Sequence, residues 1–186
     1  MFPVLLDVSQ LHVVLIGEGE EAEKRLALLD AAGAAHLRLY SGSPHAALAA
    51  AAGARLAGER PSDEALKAAG VVFIAGLDEA EAEALAERAR GFGRLVNTED
   101  RKALCDFHVP SMMRRGDLLL TVSTGGKSPG LARALRLRLE ALFGPEWAGR
   151  LEELSRQRDV WRAEGIGLGE LARRADAYID EKGWLS

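Results

Sequence analysis

Four short apolar runs alternate with helix-patterned stretches through the first half of the chain, and this alternation constrains the fold more than any other feature. The runs are "HVVLIG" at 12–17, "HLRLY" at 36–40, "GVVFIAG" at 70–76 and "GRLVN" at 93–97. Between them lie Ala/Leu/Glu-rich stretches at 20–32, 44–52, 62–69 and 78–90, and "ARLAG" at 54–58 offers a further strand. Strand and helix in strict turn build βαβ units, so the expected fold class is α/β, a mostly parallel sheet covered by helices on both faces.

The pattern changes after about residue 110. "DLLLTVST" at 117–124 alternates like a strand, and "SPGLARALRLRLEALFG" follows as a helix, with Ser128 as its N-cap and Pro129 at the first helical position. Leu131, Leu135, Leu139 and Leu142 recur at helical spacing, and Gly144 and Pro145 stop the helix. Two more helices are predicted, from about 146 to 163 with Trp147, Leu151, Leu154 and Trp161 on one stripe, and from about 169 to 181. The expected organisation is an α/β nucleotide-type domain (1–110), a small strand-helix dimerisation module (111–145) and an all-helical C-terminal tail (146–186). The middle module is too small to bury its own apolar stripe, which points to pairing with a second copy in a homodimer.

Bulk properties narrow the function classes. At 186 residues and 48% hydrophobic composition the chain can bury a proper core. A net charge of −4 with no long basic block gives no support to nucleic-acid binding. Cys105 is the only cysteine, which excludes an intramolecular disulfide and fits a reducing compartment. "MFPVLLDVSQ" lacks a positive leader and meets Asp7 early, so it reads as an opening strand rather than a signal peptide, and no apolar run approaches the ~20 residues of a membrane span. A cytoplasmic protein without membrane partners is expected.

Three stretches could carry chemistry. Gly17-Glu18-Gly19-Glu20-Glu21-Ala22 matches G-x-G-x-x-A directly after a strand and before a helix, the context that a dinucleotide turn requires. Glu20 and Glu21 sit where the helix dipole favours acids, and the phosphate-binding groups at such a turn are backbone N–H donors. A tight structural turn and a cofactor site are both open on this pattern. An acidic residue normally ends the next strand to receive the ribose, but "RLYSGSP" has Tyr40, Ser41 and Gly42 instead, so NAD and NADP are not separated. Beyond the fourth run, "LVNTEDRKALCDF" places Asp100 at a strand's carboxyl end, within reach of a nicotinamide, where a carboxylate can take a proton while the cofactor takes a hydride. A solvated charged turn, Glu99 to Lys102, is the other reading. In "VSTGGKSPGLAR" (122–133), Ser123, Thr124, Gly125, Lys127 and Ser128 lead into a helix N-terminus, either an anion-binding loop or a capped helix after a turn. Cys105, Asp106 and His108 match no zinc spacing, and no metal site is expected.

Taken in order, these stretches resemble the precorrin-2 dehydrogenase family, the N-terminal part of siroheme synthase and its stand-alone relatives. The similarity runs through "FPVLLDVSQLHVVLIGEGEEAEKR", "VNTED" and "FHVPSMMRRGDLLLTVSTGGKSPGLARALRLRLE". It implies a Rossmann domain, a dimerisation module and a helical tail, with NAD-dependent oxidation of precorrin-2 to sirohydrochlorin and, in some members, ferrochelatase activity. It also implies cofactor contacts at Gly17, Gly19, Glu20, Glu21, Ser41, Gly42 and Ala75, an essential Asp100, and substrate near Thr124 and its neighbours Ser123, Gly125, Lys127 and Ser128. Three departures stand out: Glu18 replaces the middle of three glycines, "AGL" at 75–77 replaces Ala-Ala-Thr and loses a hydroxyl, and the tail is short. The competing function class is a non-catalytic NAD sensor whose helical tail contacts a partner.

Overall fold

In the computed structural model, which describes residues 1–185, five strands form one sheet. They are β1 (His12–Gly17), β2 (His36–Tyr40), β3 (Leu56–Gly58), β4 (Val71–Ala75) and β5 (Leu95–Thr98). Their order is β3-β2-β1-β4-β5, and every neighbouring pair is parallel. Helices α1 (Gly19–Ala31), α2 (Ala46–Ala52), α3 (Asp63–Ala68) and α4 (Glu79–Gly91) alternate with the strands. The expected α/β class and the strand at "ARLAG" are both present.

The continuous apolar runs have a direct cause, because β1 and β4 are inner strands covered on both faces. Val13 and Leu15 join Leu26, Leu29 and Leu48 in one core, while Val14 and Ile16 join Leu66, Leu85 and Ala86 in the other. β4 divides the same way, Val71 and Phe73 to the first core and Val72 and Ile74 to the second. Each such side chain contributes about 1.5–3 kcal/mol when fully buried, so this pair of strands anchors whatever lies at its carboxyl ends.

The opening strand is not formed. Residues 1–7 carry no regular element, and Val8–Gln10 make one 3₁₀ turn capped by Asp7, whose carboxylate accepts from the Ser9 N–H at 3.0 Å. A strand exists only by pairing, and this segment pairs with neither sheet edge.

The chain divides into two compact units, Met1–Val109 and Pro110–Ser186. The second unit holds both the segment expected to form a dimerisation module and the helical tail. Its strand at 118–122 is not solitary: β6 (Ser111–Arg115) pairs antiparallel with β7 (Leu118–Val122). Gly116, at φ +57, takes the first position of the two-residue turn, as the II′ hairpin class requires. Helix α5 (Pro129–Leu142) starts at the expected Ser128 cap, whose hydroxyl accepts from the Leu131 N–H at 3.2 Å. α6 (Trp147–Ala163) and α7 (Leu168–Glu181) enclose a small core of Trp161, Leu171 and Ala175, joined by Leu154, Ile166 and Tyr178. Trp147 instead stacks edge-on against Phe143 and Trp184. Among the described residues no helix is long and apolar enough to cross a membrane.

Candidate functional site

The chain runs from β1 outward through β2 to β3, then crosses to β4 on the opposite side of β1. The segments leaving β1 and β4 therefore diverge, and in open parallel sheets ligands bind at that point, beyond the carboxyl ends of the strands. Gly17 and Ala75 are paired neighbours at this edge, and Ala75 is buried in the strand pair. The Glu18 N–H donates to the Ala75 carbonyl at 3.1 Å, and the Glu99 N–H donates to the Ile74 carbonyl at 2.9 Å, so the ends of β1, β4 and β5 are tied together.

Two glycines allow this closeness. A Cβ on Gly17 would lie under 3.0 Å from the Ala75 carbonyl oxygen and 3.0 Å from the Ala22 Cβ, which explains both the glycine and the small residue at the end of the fingerprint. A Cβ on Gly76 would strike the Glu18 carbonyl oxygen in the same way. Gly19 opens α1 at φ +65. Helices α2, α3 and α4 are capped by the side chains of His45, Ser62 and Asp78, whereas α1 has no side-chain cap. Its first-turn N–H groups face the switch point with a close-approach glycine beside them. That arrangement fits the pyrophosphate of a dinucleotide. Glu20 is exposed and pairs with Lys24 at 3.0 Å, directed along the helix surface and not into the turn.

Glu18 is the most connected side chain of the turn. Its carboxylate accepts from the Ser41 hydroxyl at 2.6 Å, the Gly42 N–H at 2.6 Å, the Ser43 N–H at 3.1 Å and the Arg60 Nη1 at 3.3 Å. Burial pushes its pKa up, but these four donors outweigh burial and hold the carboxyl below its ordinary range. Arg60 is shared with Glu81, which accepts from its Nε. Glu18 thus joins the glycine turn to the loop after β2, the loop without an acid of its own. Sequence reasoning treated Glu18 as an oddity and passed over Arg60; the only signal for either was the missing acid at the end of β2.

A cleft of about 640 Å³ opens beside the turn and brings Glu21, Gly76 and Leu77 together with Glu99, Asp100 and Arg101. Asp100 is exposed and is the one non-glycine among the described residues with positive φ, at +56. Strained backbone of this kind costs of order 1 kcal/mol or more and concentrates at functional positions. Behind it, Arg25 is only 8% exposed, lies 5.5 Å from the Phe73 ring centre, and reaches Glu99 at 3.6 Å. The pair is incomplete, since Arg25 Nη1, Glu99 Oε2 and Asn97 Oδ1 are buried without hydrogen-bond partners. Burial raises the Glu99 pKa, and Arg25 at this distance opposes that only in part. The solvated-turn reading of 99–102 therefore does not describe Glu99, which is drawn inward.

The lining of the cleft is acidic, with Glu21, Glu79, Glu83, Glu99 and Asp100 against Arg101 and Lys102. It suits a cationic nicotinamide ring and offers little grip to a polyanion. The basic glycine loop belongs to the second unit. There the Thr124 hydroxyl donates to the Ser128 carbonyl at 3.0 Å and accepts from the Ser128 N–H at 3.2 Å, and the Ser123 hydroxyl accepts from the Gly125 N–H at 3.3 Å. Gly125 and Gly126 take φ +62 and +77. These hydroxyls build the turn and cap α5, and the Lys127 N–H closes it by donating to the Thr124 carbonyl at 3.1 Å. Cys105 is used internally, its thiol 3.0 Å from the Thr98 carbonyl, and Asp106 binds Arg90 and the Val96 N–H.

Comparison with known proteins agrees with this geometry. Siroheme synthase of Thiobacillus denitrificans is 35% identical over 177 residues, covering 93% of this chain and 36% of that protein. Siroheme synthase of Methylococcus capsulatus is 37% identical over 156 residues, covering 82% of this chain and 32% of that protein. The chain thus spans about a third of the length of the curated relatives it matches. A solved structure described as SirC, precorrin-2 dehydrogenase, shares the fold over 100% of this chain and 93% of its own, with a TM-score of 0.77 at 22% identity. The family described as "Putative NAD(P)-binding" matches residues 4–111, more than half of the chain. With the glycine turn, the switch point and the uncapped α1 all inside that match, the chain belongs to this NAD(P)-binding family.

Proposed function

We propose that the chain catalyses the NAD-dependent oxidation of precorrin-2 to sirohydrochlorin. The observation that carries the reading is the placing of Asp100, in a strained left-handed conformation, in the same cleft as Gly76 and Glu21 at the switch point of an NAD(P)-binding sheet. The names of the siroheme synthase relatives and of the SirC structure supply the substrate class.

When bound, NAD supplies the hydride acceptor. The N–H groups at Gly19, Glu20 and Glu21 hold its pyrophosphate, Gly17 and Ala75 keep the strand ends close beneath it, and the loop at Ser41 and Gly42 receives the adenosine side. Asp100 takes the proton that leaves precorrin-2 as the hydride departs, which balances the two-electron oxidation. The loop of Ser123, Thr124, Gly125, Lys127 and Ser128 is the candidate group for tetrapyrrole carboxylates, with backbone N–H groups and the Lys127 cation as its donors. The exposed leucines of α5, 42–64% accessible at positions 131, 135, 137 and 142, form the homodimer contact of the 111–145 module, with the 146–186 helices as a separate tail. The protein works in the cytoplasm. Loss of free sirohydrochlorin on adding ferrous or cobalt ions, above the uncatalysed rate, tests for ferrochelatase activity alongside oxidation.

The test supplies purified protein with precorrin-2 and NAD and follows the sirohydrochlorin spectrum. NAD-dependent formation is expected, and Asp100→Ala should abolish it while NAD binding survives. Absence of any NAD-dependent change, or normal turnover by Asp100→Ala, overturns the proposal.

A further inference from the structure

Resting on the dinucleotide reading of the turn at 17–22, we infer that Glu18 is the residue that selects NAD against NADP, by filling from within the anion site that a 2′-phosphate would need. The loop after β2 is where a Rossmann sheet meets the adenosine ribose. In this chain that loop and the segment after β3 together supply every element of a phosphate site: two backbone N–H groups at Gly42 and Ser43, the Ser41 hydroxyl, and, from beyond β3, the Arg60 guanidinium. All four point at one carboxylate.

The acceptor count shows that the site is closed. A carboxylate offers about four lone-pair directions. Glu18 Oε1 accepts from Gly42 and Arg60, and Oε2 accepts from Ser41 and Ser43, so its capacity is used by the protein itself. Arg60, the natural clamp for a phosphate, is already divided between Glu18 and Glu81. Glu59 adds a third carboxylate, its side chain within about one contact distance of Gly42. A 2′-phosphate, carrying nearly two negative charges, would have to displace Glu18 and settle among these acids. The ribose hydroxyls of NAD are neutral and ask only for a shared hydrogen bond, for which the longest of the four contacts, Arg60 at 3.3 Å, is the one that can yield.

Helix capping does not account for this acid. Glu18 lies before α1 in extended backbone, φ −132 and ψ 163, and its side chain does not cap the helix. Glycine or glutamine can adopt the same backbone, so both test variants keep the turn.

The experiment measures NAD and NADP dissociation constants by titration calorimetry for the parent, Glu18→Gln, Glu18→Gly and Glu18→Gly/Arg60→Ala, with thermal unfolding to confirm that each is folded. No substrate is present, so the readout is independent of the oxidation. The parent should prefer NAD by on the order of 100-fold. Glu18→Gln should narrow that preference about tenfold or more through tighter NADP binding, Glu18→Gly further, and removal of Arg60 should reverse the gain. An unchanged preference in both single variants overturns the inference. So does narrowing through loss of NAD affinity alone, which would make Glu18 a ribose ligand. Failure of the parent to bind either nucleotide overturns the dinucleotide reading itself, and this inference with it.

Discussion

Gly17→Ala is the most direct probe of the geometry that creates the site. The added methyl would meet the Ala75 carbonyl oxygen on one side and the Ala22 Cβ on the other, the first a backbone atom and the second fixed to the first turn of α1. No side chain can rotate out of the way, so the strand ends must part or α1 must lift. Overpacking of this kind costs about 1–3 kcal/mol, and two rigid neighbours place this case near the upper end. Parting the strands also lengthens the bond from the Glu18 N–H to the Ala75 carbonyl, worth about 1 kcal/mol. Restricting the unfolded chain returns about 0.4–1 kcal/mol, because Gly17 is not in the left-handed region. The expected net loss is about 3 kcal/mol, a fall of about 1–3 M in the urea midpoint for a small domain. The assay is urea unfolding by far-UV circular dichroism, with hydrogen exchange of the β1 and β4 amides to localise the effect. Gly91→Ala is the control. It lies at the end of α4 with nothing within 4 Å of an added Cβ, and should be neutral or stabilising by about 0.5 kcal/mol. A Gly17→Ala midpoint equal to that of the control would refute the close approach of β1 and β4 on which the site depends.

Four further outcomes are expected. Because Glu99 has a raised pKa in the folded state, its contribution to stability is present below the ordinary carboxylate value of about 4.3 and is lost as pH rises through the folded value; Glu99→Gln should therefore gain on the parent as pH rises above about 4.3, and a difference that shrinks with rising pH in urea unfolding refutes it. Asp100→Gly should be more stable than Asp100→Ala by about 1 kcal/mol, since glycine alone takes φ +56 freely, while neither oxidises precorrin-2; equal stabilities by chemical denaturation would remove the strain argument. Ser128→Ala should cost about 1 kcal/mol by uncapping α5, followed by the emission of Trp147, Trp161 and Trp184, all of which lie in the second unit; an unmoved transition would show that the cap is idle. Leu135→Glu should convert the proposed dimer to a monomer in sedimentation velocity, and a single slow species already present in the parent would dismiss the α5 contact.

The inner strands were legible because burial on both faces leaves an unbroken apolar run, which 12–17 and 70–76 display. The first residues of each unit were harder. "FPVLLDV" is apolar enough to look like a strand, yet Phe2, Val4 and Leu5 are exposed, because hydrophobicity cannot create a pairing partner. β6 failed in the opposite direction. "SMMRR" has no β-branched residue and ends in two charges, so it carries no strand signal of its own, although alternate residues, with Met113 buried, mark a half-covered strand. Both errors arise from reading a strand as a property of its own residues when it is a property of a pair.

The same distinction governs the site. Gly17, Gly19 and Asp100 are local signals, set by a tight turn and by the end of a strand, and reading along the chain finds them. The environment of Glu18 is assembled from residues 23 to 42 positions away, and no window of sequence contains it. The absent acid after β2 and the surplus acid in the glycine turn looked like two unrelated departures. Their hydrogen bonds make them one substitution in space: the carboxylate that the β2 loop lacks is delivered to it from the neighbouring strand. An acid rooted in β2 would keep its acceptors turned toward a ribose, whereas one rooted in the turn arrives from beneath and spends them on the loop. The origin of the carboxylate, and not merely its presence, therefore decides what the adenosine end of a dinucleotide meets.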